Sequence, residues 1–85
     1  DFFLAVTDDY AEKAMRQYYY PEQNDERIIS GESGAAGLAG LIALCTDENL
    51  KEAKNKLCIN EKSNILLINT EGDTDIENFK KVVGI

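Results

Sequence analysis

Apolar residues along this chain form two patterns, short continuous runs and stripes of helical period. The runs are typical of strands buried in a sheet, because both faces of such a strand are covered. They lie at residues 2–6, 27–30 and 64–69. Stripes that return every three or four positions predict amphipathic helices at residues 8–20, 47–57 and 75–83, and residues 33–45, apolar on every side, predict a buried helix.

Polar residues, one proline and one glycine mark where these helices are expected to begin and end. Thr7 and Thr46 are each followed by two acidic residues and predict N-caps, and Thr74 opens a capping-box sequence. Pro21 ends the first helix, and Gly84 ends the last. The resulting element order is β-α-β-α-α-β-α.

This order predicts an α/β fold, a three-layer fragment with a short parallel sheet. Strands that alternate with helices pair in parallel through right-handed crossovers. The 85 residues are enough for at most one small domain, residues 1–85. The sequence starts at Asp1 with an apolar run directly after it, and we interpret it as a segment of a longer protein.

Composition narrows the classes of function. A net charge of −7 disfavours binding to nucleic acid or to an anionic membrane, since both need clustered Lys or Arg. No apolar run approaches the ~20 residues of a membrane-spanning helix. The lack of His excludes a His-containing zinc site and a Ser-His-Asp triad within this sequence, and no metal site is expected. Cys45 and Cys58 are interpreted as packed core thiols.

Two glycine-containing turns are the candidate site. The Ser30 turn (residues 30–34) and the Asn69 turn (residues 69–73) each follow a predicted strand, and ligands bind at the carboxyl ends of parallel strands. If the strands are neighbours, the turns converge; if not, these residues are only helix caps. Gly37 and Gly40 cost the following helix about 1 kcal/mol each relative to Ala, and we expect close approach of another backbone to offset that cost.

The residues of these two turns resemble a known family. Residues 30–35, Ser-Gly-Glu-Ser-Gly-Ala, and residues 70–75, Thr-Glu-Gly-Asp-Thr-Asp, are similar to the C-terminal part of diaminopropionate ammonia-lyases, which are fold-type II pyridoxal-phosphate (PLP) enzymes. The resemblance covers nearly the whole chain and about the last fifth of a family member. It implies part of the large domain of such an enzyme, which eliminates the β-amino group of 2,3-diaminopropionate, releases pyruvate and ammonia, and acts as a cytoplasmic homodimer.

The resemblance also implies roles for individual residues. Thr70 matches the hydroxyl that faces the pyridine nitrogen of PLP, and Glu32, Ser33 and Gly34 match the turn that faces the cofactor ring. The family's Schiff-base Lys, phosphate loop and acid–base aspartates match nothing here. No catalytic residue is therefore expected in this chain, which would be inactive alone and would supply one wall of a pocket for an amino-acid substrate, completed by the rest of the parent protein.

Other functions remain open at this point. A serine or threonine dehydratase is a related alternative, although dehydratases carry Ser-Gly-Gly-Asn where this chain has residues 70–73. The short, acidic sequence and the three tyrosines at residues 18–20 also suit a stand-alone acidic α/β interaction module. A phosphate or nucleotide site in the Ser30 turn lacks the Lys of a P-loop.

A segment of a larger protein exposes the cut edges of its predicted sheet and an apolar helix face, and these surfaces predict self-association.

Overall fold

The computed structural model describes residues 3–85 and contains four α-helices. The helices are α1 (Asp8–Tyr19), α2 (Ala36–Thr46), α3 (Lys51–Lys56) and α4 (Ile76–Val83), with a short 3-10 turn at Glu48–Leu50. Helices were predicted in all of these regions. The helix predicted over residues 47–57 is divided into the 3-10 turn and α3, and the helix predicted to start at Ser33 starts three residues later, after a tight turn.

The predicted α/β fold with a parallel sheet is wrong, because residues 3–85 contain helices and no strands. Phe2, the start of the first predicted strand, lies outside the described residues. The segment at 27–30 makes an isolated backbone contact, in which the Ile28 N–H donates to the Tyr18 carbonyl at 2.8 Å. A second isolated bond lies just beyond the segments at 27–30 and 64–69, where the Gly31 N–H donates to the Glu71 carbonyl at 3.1 Å. A ladder needs repeated bonds between the same two segments.

Exposure of the apolar runs explains why the strand prediction failed. Leu66 is 86% exposed and Ile68 is 70% exposed, and Ile28, Ile29 and Ile65 are also largely open. A continuous apolar run shows that a segment is suited to burial, but burial needs a partner on each face. The described residues leave these side chains uncovered.

The core lies where α1, α2 and α4 pack together. Its buried side chains come from all three helices and from the residue before α2; they are Ala14, Met15, Ala35, Ala39, Phe79, Val82 and Val83. The three alanines allow close approach of the helix backbones, and Met15 and Phe79 are the two largest side chains of the core. In this arrangement α1 packs against both α2 and α4.

Aromatic contacts join the end of α1 to α4. The Tyr19 ring meets the Phe79 ring edge-on, with centroids 5.5 Å apart, and the Tyr20 hydroxyl donates to the Val83 carbonyl at 2.6 Å. The Arg27 guanidinium lies 4.2 Å from the centroid of the Tyr19 ring, and its Nε donates to the Tyr19 carbonyl at 2.8 Å. These contacts bring the segment after α1 back across the helix before it enters the Ser30 turn.

Thr7 occupies the N-cap position of α1, as predicted, but its side chain does not bond to the helix backbone. Its hydroxyl donates to the Asp9 carboxylate instead. This bond, with a smaller effect from Lys13, lowers the pKa of Asp9 below its usual value. Because its pKa is lowered, Asp9 stabilises the fold at pH values above the ordinary pKa of Asp, and this stabilisation is lost as the pH falls through the lowered pKa. The effect is small because Asp9 is fully exposed.

Aspartates rather than the predicted threonines cap the later helical segments. Oδ1 of Asp75 accepts the Asn78 N–H at 3.1 Å, so Asp75, not Thr74, begins α4. Asp47 caps the 3-10 turn, while the Thr46 hydroxyl donates back to a carbonyl within α2. Both caps are one residue later than predicted, which places Asp75 at the edge of the candidate site.

The interpretation of the cysteines as core thiols is wrong. Cys45 and Cys58 are free and exposed. Cys45 is on the open side of the end of α2, and Cys58 follows α3 with a φ of 57°, in the left-handed region.

Among residues 3–85, no helix is both long and apolar enough to cross a membrane.

Side chains, rather than the predicted backbone, approach the glycines of α2. A Cβ at Gly37 would lie 3.4 Å from Leu67, and a Cβ at Gly40 would lie 3.2 Å from Leu4. These leucines and their apolar neighbours line an open groove of about 440 Å³ along α2. The helix predicted to be buried on every side therefore has one face in the core and one apolar face open.

Candidate functional site

The Ser30 turn and the Asn69 turn meet beside the start of α4. The Gly31 N–H donates to the Glu71 carbonyl, which fixes the two turns to each other. Between them lies an open cleft of about 370 Å³, lined by both turns, by α4 and by α1; its residues are Met15, Gly31, Glu32, Ser33, Glu71, Gly72, Asp73, Asp75, Asn78 and Phe79. The two turns thus converge, although no sheet joins the segments that precede them.

Two glycines of the Ser30 turn permit this close approach. A Cβ at Gly34 would collide with the Asn69 side chain and lie 2.6 Å from the Glu71 carbonyl oxygen. A Cβ at Gly31 would collide with the Glu71 carboxylate and lie 2.8 Å from the Gly72 carbonyl oxygen. These two glycines allow the Ser30 turn to contact the Asn69 turn. The sequence alone did not decide whether the Ser30 turn faces a ligand or a neighbouring loop.

A partly buried side-chain hydrogen bond also joins the two turns. Ser30 is 0% exposed, and its hydroxyl donates to Oδ1 of Asn69 at 2.9 Å. The same Oδ1 accepts the Glu71 N–H at 3.3 Å, while Nδ2 of Asn69 donates to the Ile29 carbonyl at 3.3 Å. The Gly31 carbonyl, 3.0 Å away, is a second acceptor for the Ser30 hydroxyl within its own turn.

Glu32 connects the Ser30 turn to α4. Its Oε1 accepts a hydrogen bond from the Asn78 side-chain amide at 2.9 Å, and Asn78 is also the residue whose N–H is capped by Asp75. The Glu32 carboxylate is exposed to solvent at the cleft. Its observed partner is thus a side-chain amide at the start of α4.

The four residues predicted to contact a cofactor lie in different positions. Glu32 and Ser33 line the cleft, and Gly34 is buried beneath it. Thr70 is exposed and is not among the cleft residues. Its neighbours Asn69 and Glu71 are both bonded to the Ser30 turn, so the backbone at Thr70 is tied to that turn.

Sequence reasoning assigned no individual contact to three residues that shape this site: Asn69, which opens the predicted Asn69 turn, and Asn78 and Phe79 of α4. Asn69 and Asn78 make the side-chain bonds that hold the turns, and Phe79 closes the base of the cleft. The helical stripe of α4 already placed Phe79 on the inner face. The asparagines gave no comparable signal, because a hydrogen bond between distant residues leaves no period in the sequence.

Charge around the cleft is negative. Four carboxylates line it, from Glu32, Glu71, Asp73 and Asp75, and the described lining has no Lys or Arg. Such a surface repels an anionic phosphate and accommodates neutral or cationic groups. No group of three His, Cys, Asp or Glu side chains suited to a metal ion occurs within residues 3–85.

Comparison with known proteins confirms the resemblance seen in the two turns. The chain is 42% identical over 81 residues to the diaminopropionate ammonia-lyase of Escherichia coli (strain K12), a match that covers 95% of this chain and 20% of that enzyme. No family model matches the chain.

Solved structures of the Escherichia coli enzyme resemble the chain in three dimensions as well. One is a complex with an aminoacrylate-PLP azomethine reaction intermediate and another a complex with D-serine. Each has a TM-score of 0.79 and 43% identity, over 89% of this chain and 20% of the other. The chain therefore spans about one fifth of the length of the relatives that it matches.

Proposed function

We propose that this chain is the C-terminal segment of a PLP-dependent lyase of the diaminopropionate ammonia-lyase type, and that its two turns form one wall of the cofactor pocket. The main support is the convergence of the Ser30 turn and the Asn69 turn, the stretches whose residues resemble the family. The match covers 95% of the chain and so includes both turns.

The complete protein would remove the β-amino group of 2,3-diaminopropionate and release pyruvate and ammonia. PLP, when bound, supplies the electron sink that makes the α-proton of an amino acid acidic enough to remove. The role assigned to Thr70 is to place a neutral hydroxyl at the ring nitrogen. A hydroxyl, unlike a carboxylate, does not favour protonation of that nitrogen, which suits elimination because the leaving group takes the electrons.

The donor set of the described residues fits the ring of PLP but not its phosphate. The exposed hydroxyl of Thr70 and the hydroxyl of Ser33 at the cleft are suitable neighbours for a ring nitrogen and ring substituents. The four carboxylates of the cleft oppose a phosphate. The phosphate loop, the lysine that carries the cofactor and the acid–base aspartates would thus come from the rest of the parent protein, and this chain alone would be inactive.

The open apolar surface supports an assembly larger than this chain. The groove along α2 and the exposed side chains of Leu66 and Ile68 form apolar surface that water does not favour. In the proposed parent, a cytoplasmic homodimer, the other four fifths of the protein or a second subunit would cover these side chains. The same surface explains why the isolated chain is expected to self-associate.

The direct test measures pyruvate and ammonia release by the protein encoded by the complete reading frame, with PLP supplied. We expect 2,3-diaminopropionate to give two ammonia for each pyruvate, because one amino group leaves in the β-elimination and the other leaves when the resulting enamine is hydrolysed. Removal of PLP should abolish the activity. The substrate is then replaced with D-serine or L-serine and with threonine at the same concentration.

Two results would change the assignment. Turnover of serine or threonine without turnover of 2,3-diaminopropionate would keep the cofactor class and identify a dehydratase. A complete protein that binds no PLP and releases no pyruvate would contradict the enzyme assignment and favour the interaction module.

A further inference from the structure

Asn69 is the residue through which the two turns make their side-chain contacts. Its side-chain amide forms hydrogen bonds with the Ile29 carbonyl and the Ser30 hydroxyl across the junction. It also accepts a hydrogen bond from the Glu71 N–H within the Asn69 turn. The backbone bond from Gly31 to the Glu71 carbonyl adds a second connection just beyond it. Both residues that flank Thr70 are thereby attached to the Ser30 turn.

The attachment is rigid for two reasons. Ser30 is 0% exposed, and its hydroxyl has two acceptors, the Asn69 oxygen and the Gly31 carbonyl. A Cβ at Gly34 would collide with the Asn69 side chain, so the turns leave no room there for even a methyl group. Thr70, although exposed, therefore lies on a backbone that is fixed at the residues before and after it.

We propose that Asn69 is a positioning residue: by bonding to Ile29, Ser30 and Glu71 it holds the Thr70 hydroxyl in place against the cofactor ring. The inference rests on the proposed function, because it takes the cofactor contact of Thr70 from there. It adds that the placement of Thr70 depends on a side chain that never touches the cofactor. Loss of the amide shifts the hydroxyl without removing it.

The experiment uses the complete PLP-loaded protein with Asn69→Ala and Asn69→Asp. Asn64→Ala is the matched control, because Asn64 is an exposed residue at the other end of the same apolar segment. Four quantities are measured: the absorption spectrum of the bound cofactor, kcat for 2,3-diaminopropionate, KM for the same substrate, and the thermal unfolding midpoint.

A positioning role predicts a shifted cofactor spectrum for Asn69→Ala and a kcat lower by about 10- to 100-fold, because a misplacement of the order of 1 Å has effects of that size. KM should change much less than kcat. Asn69→Asp keeps an oxygen for Ser30 and Glu71 and should retain more activity than Asn69→Ala. Asn64→Ala should match the unmodified protein in the cofactor spectrum, in kcat and KM, and in the unfolding midpoint.

A purely structural role predicts something different, namely a lower unfolding midpoint with an unchanged spectrum and unchanged kcat per bound cofactor. That result would overturn the positioning role and leave the lyase assignment intact. An unmodified protein without a PLP spectrum would instead overturn both proposals together.

Discussion

Replacement of Gly34 by Ala is expected to separate the two turns. The new methyl group would meet the Asn69 side chain, the Glu71 carbonyl oxygen and the Ser30 hydroxyl, and two of these are backbone or buried groups that cannot move aside cheaply. Insertion of a methyl group into a packed site costs about 1–3 kcal/mol. Hydrogen–deuterium exchange of the complete protein should become faster at the Gly31 amide, which is bonded to Glu71.

Gly72 provides the matched control for this substitution. It lies in the other turn, at the same cleft, and a Cβ there would meet nothing within 4 Å. Gly72→Ala should leave exchange of the Gly31 amide unchanged, and where no clash occurs a Gly→Ala change stabilises a protein by about 0.4–1 kcal/mol through the unfolded state. Equal exchange rates in the two variants would show that Gly34 does not maintain the junction.

Replacement of Phe79 by Ala is expected to destabilise both the core and the cleft. The ring is 4% exposed, meets Tyr19 edge-on and closes the base of the cleft. Removal of a buried Phe side chain costs about 3–5 kcal/mol, through lost burial and the cavity left behind. The urea midpoint of the complete protein should fall accordingly, and PLP should bind more weakly because the cleft loses its base.

Ile76→Ala separates this effect from general changes in α4. Ile76 lies three residues earlier on the same helix and is 53% exposed. Its replacement should lower the free energy of unfolding by less than about 1 kcal/mol, as is usual for surface positions. If the two variants had the same urea midpoint, the packing of α4 against α1 described here would be incorrect.

The helices could be predicted because their signals are local. The stripe of α4 includes Phe79 and Val83, four residues apart, and both side chains enter the core. The caps were harder: Asp75 and Thr74 are both good N-cap residues, and only the backbone geometry decides between them. An error of one residue at a helix end is the normal consequence.

The sheet could not be predicted correctly because burial is a relation between segments. Leu66 and Ile68 belong to a run with the composition of a buried strand, yet nothing in residues 3–85 covers them. The same argument applies to Cys45 and Cys58, whose apolar neighbours suggested a core position. The apolar run shows that the segment is suited to burial, but whether it is buried depends on residues elsewhere in the protein.

Convergence of residues 30–34 and 69–73 was expected only if two neighbouring strands preceded them. The two turns meet without such strands, and the cofactor contacts of their residues stay a prediction. The glycines and Ser30 turned out to hold the turns to each other, with Asn69 as their partner. Contacts between distant polar residues leave no pattern in a single sequence, so this partner could not be identified from it.

One measurement tests most directly whether this chain forms a wall of a PLP pocket: the absorption spectrum of the cofactor in the complete protein with Thr70→Asp. A carboxylate at the ring nitrogen favours its protonation, so the spectrum should shift. Pyruvate release should fall by at least about tenfold, the ratio that corresponds to ~1.4 kcal/mol in the barrier. Thr70→Ser keeps the hydroxyl and should resemble the unmodified protein.

Thr74→Asp adds the same charge at another exposed threonine, four residues away, and should leave the spectrum unchanged. A shift with Thr70→Asp alone is the result that this account predicts. If Thr70→Asp left both the spectrum and the rate of pyruvate release unchanged, Thr70 would not face the cofactor, and the wall formed by these two turns would have to be assigned elsewhere.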